Sequence, residues 1–105
     1  MLKTVVCLTT VGKRKDAERI ARRLVAGKFA ACVNVVAGLV SHYRWKGKIC
    51  RDAEFLLVMK TAASKVKRLE KELRTIHPYE LPEFVVLPIA GGSSRYLKWI
   101  LEGVR

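Results

Sequence analysis

The sequence predicts an α+β chain in the order β-α-β-β-α-β-α, folded as a ferredoxin-like sandwich around a long central β-hairpin. Three observations lead there. The apolar spacing switches between period 2 and period 3.6 in that order along the 105 residues. The stretch Ala30–Thr61 reads as one hairpin rich in Val, Ile, Phe, Tyr and Trp, with Gly47 in the turn Trp45-Lys46-Gly47-Lys48 able to supply a positive φ. The first and last strands are apolar on both faces, so one helical layer leaves the other face needing cover.

Taken in order, residues 3–10 (KTVVCLTT) form the first strand, and Gly12 punctuates the loop after it. Residues 14–28 form a helix, with Ala17, Ile20, Ala21, Leu24 and Val25 on one face, Asp16 and Glu18 favourably placed at the start, and Gly27 as the stop signal. In the hairpin, the odd-numbered residues of each arm are mostly apolar and are expected to share a face. A two-residue turn at Lys46-Gly47 separates them near the tip, a three-residue loop keeps them together, and a bulge near Ala37-Gly38 shifts the register between; the sequence leaves this open. Residues 64–76 form the second helix, with Ser64 as N-cap and a Glu70–Arg74 pair, ended by His77-Pro78. FVVLPI (84–89) is the fourth strand. Ser93 or Ser94 caps a third helix striped by Tyr96, Leu97, Ile100 and Leu101 with Trp99 beside it.

The hairpin outgrows its domain. From Ala31 to Trp45 a strand spans roughly 50 Å at about 3.3 Å per residue. A globule of this size is only about 33 Å across. The tip, with Tyr43, Trp45 and Ile49, therefore projects, and an isolated two-stranded arm is marginal in water. Both this arm and the uncovered sheet face call for a second copy of the chain.

Length and composition fit one domain over residues 1–105. No apolar run reaches membrane-spanning length. The opening MLKTVVCLTT lacks a signal-peptide pattern, so the chain reads as cytoplasmic. Cys7, Cys32 and Cys50 form no C-x-x-C pair and read as reduced thiols. The net charge of +12 is concentrated on the first helix and its approach (Lys13, Arg14, Lys15, Arg19, Arg22, Arg23, Lys28) and on the second (Lys65, Lys67, Arg68, Lys71, Arg74). A solvated outer face and a non-specific polyanion-binding face both fit that pattern. Sequence-specific RNA binding does not: CRDAEFLLVMK lacks the aromatic signature that stacks bases, and the charge lies behind the sheet. No Cys-His or Ser-His-Asp constellation suggests an enzyme, and the loop TTVGKRK lacks the glycine-rich anion cradle of acylphosphatases.

Two groups of residues are candidate sites. His77, with Glu83 six residues on, offers an imidazole and a carboxylate for a divalent metal such as Cu or Zn. The competing role for His77 is to cap the second helix. His42 belongs to the interface or to solvent. Tyr43, Trp45, Ile49, Tyr79, Tyr96 and Trp99, with Glu54 and Lys60, are expected at an intersubunit pocket or interface.

AACVN (30–34), SHYRWKGKI (41–49), Glu54 followed by Lys60-Thr61, HPYELPE (77–83) and YLKWI (96–100) occur in one order along essentially the whole chain. In this the chain resembles the CutA-type divalent-cation tolerance proteins. The resemblance implies a ferredoxin-like homotrimer whose long hairpins wrap neighbouring subunits. It implies a role in divalent-metal tolerance, no enzymatic activity and no required cofactor. It also implies a copper site made by a first-strand cysteine and a His-His pair before Pro-Tyr; those positions read Thr9, Ile76 and His77. The proline usual after AACVN is Ala37. A trimeric signalling module of the PII type is the architectural alternative.

Overall fold

The computed structural model describes residues 3–105; residues 1 and 2, part of the opening stretch weighed above as a leader, lie outside them. The elements are β1 (Thr4–Val11), α1 (Arg14–Ala26), β2 (Cys32–Trp45), β3 (Lys48–Ala62), α2 (Val66–Ile76), β4 (Val85–Pro88) and α3 (Ser94–Gly103). The strands form one antiparallel sheet in the order β2-β3-β1-β4, so the hairpin sits on one side of β1 and the short β4 on the other. The predicted mixed α+β order is the observed one.

The two long helices cover a single face. Ala17, Ile20 and Leu24 of α1 and Leu69 and Leu73 of α2 pack on Val5, Cys7 and Val11 of β1 and on Leu57 and Met59 of β3. Alternation along β1 and β3 places these strand residues on the same side. Burial there pushes the Cys7 thiol up to about 11, so it stays protonated. On the opposite face, α3 lies against β1 and β3 only near the base, where Ile100, Val104, Ala62 and Thr4 are buried. Beyond α3 that face is open: Val36, Tyr43, Trp45, Val85 and Leu87 are all more than a third exposed.

The hairpin register is resolved by two glycines. Trp45 pairs with Lys48 across a two-residue turn in which Lys46 and Gly47 take φ of 51° and 80°. Such turns match the strands' own twist. The register slips between Val36 and Leu39, and Gly38 within the slip has φ 88°. Below it Val35 faces Leu57; above it Tyr43 faces Cys50. The expectation that the odd-numbered sets share a face therefore holds only at the base. Ile49 pairs with Arg44 and points away from Tyr43 and Trp45. The arm gives the molecule a long axis of 44 Å against 25 and 24 Å for the other two.

Gly27 ends α1 as expected, and the residue after it, Lys28, is the left-handed one, at φ 62°. The glycine is needed for space, since a Cβ there would stand 2.5 Å from the Phe29 ring. Ser64 caps nothing: a 3-10 turn over Ala63–Lys65 leads into α2, and tightening the backbone replaces the side-chain cap. Glu70 and Arg74 form no ion pair among the described residues. Glu72 is the α2 carboxylate that finds a partner, accepting from Arg23 Nε at 2.7 Å because α1 lies alongside. Ser93 does cap α3, accepting from the Tyr96 N–H.

Nothing surrounds the position a Cβ would take at Gly38, so a side chain there meets only backbone strain. Gly38→Ala is expected to cost about 1–2 kcal/mol, the penalty of left-handed backbone for an L-residue. A urea melt checks it, and an unchanged midpoint contradicts the assigned bulge.

Candidate functional site: the cleft beneath the hairpin

Above the bulge, alternation sends Ser41, Tyr43 and Trp45 of β2 to the same face as Asp52 and Glu54 of β3. The loop between α2 and β4, HPYELPE, passes opposite them. Between the two runs a cleft of about 1010 Å³ whose walls include Tyr43, Trp45, Glu54, Tyr79, Glu83 and Phe84.

His77 sets the loop's path. It leaves helical geometry at φ −80°, ψ 136°, as the proline after it demands. Nδ1 accepts from the Tyr79 N–H at 3.1 Å, which leaves Nε2 to donate to the Thr10 carbonyl at 2.9 Å. The ring thus ties the end of α2 to the end of β1 instead of capping α2. Burial is the main influence on it and lowers its pKa; the Thr10 bond opposes that shift.

The tyrosine that follows carries the tie to the hairpin. The Tyr79 ring lies 4.9 Å from the His77 ring, and its hydroxyl donates to Glu54 Oε2 at 2.6 Å. Gly12 leaves room for that hydroxyl, which a Cβ would approach to 3.2 Å. Glu54 is only 8% exposed, and no basic side chain pairs with it among the described residues. Tyr43 donates to Asp52 in the next rung. Burial, and then the bond to Glu54, push the Tyr79 phenol up, while Asp52 raises Tyr43 to about 12. Partial desolvation in the cleft also raises the Glu83 carboxyl, helped by the charge of Glu54. The cleft is therefore acidic and aromatic, with hydroxyls committed to holding carboxylates.

Within one chain the candidate residues fall into two groups. Tyr43, Trp45, Glu54, Tyr79 and Glu83 meet in the cleft. Lys60, Tyr96 and Trp99 meet elsewhere, beside α3: Lys60 Nζ donates to the Tyr96 hydroxyl at 3.4 Å, and Tyr96 stacks on Trp99 at 5.5 Å. Ile49 belongs to neither. Asp52 was not among the expected site residues; its signal was the alternation with Glu54 along one face of β3.

The copper site implied by resemblance does not fit the residues present. Thr9 is fully buried and its hydroxyl has no hydrogen-bond partner. Ile76 offers no donor atom, and both nitrogens of His77 are engaged. Among the described residues no three His, Cys, Asp or Glu side chains converge as a metal site would need.

The depressed pKa of His77 has a pH consequence. The unfolded chain takes up a proton near 6.5, before the folded chain does, so folding is favoured above that pH and disfavoured as pH falls below it. The melting temperature is expected to fall on acidification below about 6.5. His77→Gln is expected to melt lower at neutral pH and to lose much of that slope; an unchanged slope would remove His77 as its source.

Comparison with known proteins agrees with this geometry. The sequence profile of the CutA1 divalent ion tolerance proteins matches residues 5–103. The divalent-cation tolerance protein CutA of Thermus thermophilus is 45% identical over 97 residues, covering 92% of this chain and 94% of that protein. The chloroplastic CutA of Arabidopsis thaliana is 40% identical over 102 residues; the chain covers 97% of its own length there but only 56% of the plant protein. The solved Thermus thermophilus structure superposes with a TM-score of 0.94 at 43% identity, covering 97% of this chain and 99% of that one. The family and its Thermus thermophilus member are named for ion tolerance, not for an enzymatic reaction. The chain belongs to the CutA1 divalent ion tolerance protein family.

Proposed function

We propose that the chain acts as a divalent-cation tolerance protein by assembling into a cytoplasmic, non-enzymatic homotrimer. The observation that supports this best is the open sheet face, where Val36, Val85, Leu87, Tyr43 and Trp45 remain exposed beside a projecting arm. Burying a large apolar side chain stabilises by about 1.5–3 kcal/mol, so a shared face of this kind favours association. The number three comes from the family resemblance. Free thiols at Cys7, Cys32 and Cys50 accord with a reducing compartment.

Metal contact in this reading is weak and needs no resident cofactor. Glu83, an exposed carboxylate of the cleft, is the group available to Cu²⁺ or Zn²⁺. His77 acts by holding the loop. Calorimetric titration with Cu²⁺ is expected to give the same isotherm for wild type and His77→Ala, and a weaker one for Glu83→Gln. Loss of heat in His77→Ala alone would restore the imidazole as ligand.

The assembly itself is tested by light scattering. Wild type is expected at three times the 11.9 kDa chain mass. Trp45→Asp, which puts a charge at the arm's exposed tip, is expected to shift the population toward monomer and lower the melting temperature. A monomeric wild type at micromolar concentration, or a variant unchanged in both mass and melting, refutes the trimer.

A further inference from the structure

The helical layer carries most of the protein's charge, and neither the core nor the cleft uses it. α1 with its flanks and α2 with its lead-in hold twelve basic and four acidic side chains. Two thirds of the net +12 therefore lies in this layer. Of the twelve, Arg14, Arg19 and Arg23 reach a carboxylate. Lys13, Lys15, Arg22, Lys28, Lys65, Lys67, Arg68, Lys71 and Arg74 have none within 4.0 Å, and all but the half-buried Lys65 are exposed. Two guanidiniums are held in place: Arg23 from α1 and Arg68 from α2 sit over the same Phe29 ring at 5.5 and 5.6 Å.

Because α1 and α2 pack on one face of the sheet, their outer sides form one surface, behind the open apolar face. We infer that this helical layer binds the phosphodiester backbone of duplex nucleic acid without reading its sequence. The surface matches that polyanion in size. At 13 and 11 residues, α1 and α2 are about 20 and 17 Å long. A 20 Å length of duplex presents about 12 phosphate charges. The surface suits other anionic partners less well. Val25 is the one large apolar side chain of α1 and α2 exposed by more than a third among the described residues, so nothing is available to enter a lipid surface. Phe29 is half-buried beneath its two arginines, so no aromatic platform is offered to unstacked bases. The inference does not depend on the trimer, which would use the other side of the sheet.

Fluorescence anisotropy with a labelled 20-base-pair duplex of arbitrary sequence tests it on the full chain across a salt series. Engagement of about five phosphates gives a slope of log K against log salt of about −4.5. Arg22→Glu/Lys67→Glu/Lys71→Glu reverses three exposed cations of the layer and is expected to bind at least tenfold more weakly, with a shallower slope. Arg95→Glu/Lys98→Glu/Arg105→Glu changes net charge equally but on and beyond α3, and is expected to stay within about threefold of wild type. Circular dichroism melts confirm that both variants fold. Absence of wild-type binding at 50 mM salt, equal loss in the two variants, or binding to anionic phosphatidylglycerol vesicles but not to duplex would each overturn the inference.

Discussion

Two helices cannot cover two faces of a sheet, and most of this molecule follows from that mismatch. β1 alternates so that Val5 and Cys7 enter the helical core while Val6 and Leu8 face the other way. β4 adds Val85 and Leu87 to the uncovered side. α3 shields only the base of that side, over Thr4 and Ala62. What remains open is continuous with the hairpin, whose upper part faces only the HPYELPE loop across the cleft. A strand pair of this length would be marginal alone. The arm and the open face thus share one requirement, and a single association event would satisfy both.

Much of the fold was legible because its determinants are local. Periodicity located each strand and helix, and a glycine announced the hairpin turn. The misreadings lie where tertiary contact chose between local options. Gly27 ends α1 as read, but what keeps it small is the Phe29 ring, while Lys28 takes the left-handed conformation. Ser64 looked like an N-cap, yet the turn before α2 tightens instead. The hairpin register depended on two devices of opposite effect, a two-residue turn and a bulge, each fitting the sequence alone. With both present, Ile49 leaves the face of Tyr43 and Trp45, because a slip of one residue reverses every side chain beyond it.

The site was less legible for a related reason. The aromatics were expected at an intersubunit pocket or interface, and a linear pattern does not say which of them meet within one chain. Tyr43 and Tyr79 line the cleft beneath the arm, whereas Tyr96 and Trp99 stack on each other along α3, beside Lys60. His77 was legible as a candidate but not in its contacts. An imidazole before a proline suits a ligand and a helix cap alike. Its two partners, the Tyr79 N–H and the Thr10 carbonyl, make it a tie between α2 and β1 instead of a cap. Thr9 and Ile76 supply neither the thiolate nor the second imidazole that the resemblance implies beside His77.

Charge is arranged in keeping with the same asymmetry. Asp52, Glu54, Glu80 and Glu83 gather at or beside the cleft on the open side. Two thirds of the net positive charge lies on α1, α2 and their flanks. Separation matters for association, since copies carrying +12 repel one another. The molecule is about as thick as its short axes, 25 and 24 Å. That exceeds two screening lengths of about 10 Å each at 0.1 M salt. Copies meeting through the open face would therefore place their basic layers outward and beyond effective reach of one another. The side that carries the charge remains free for a polyanion while the side that carries the apolar surface is free to be covered.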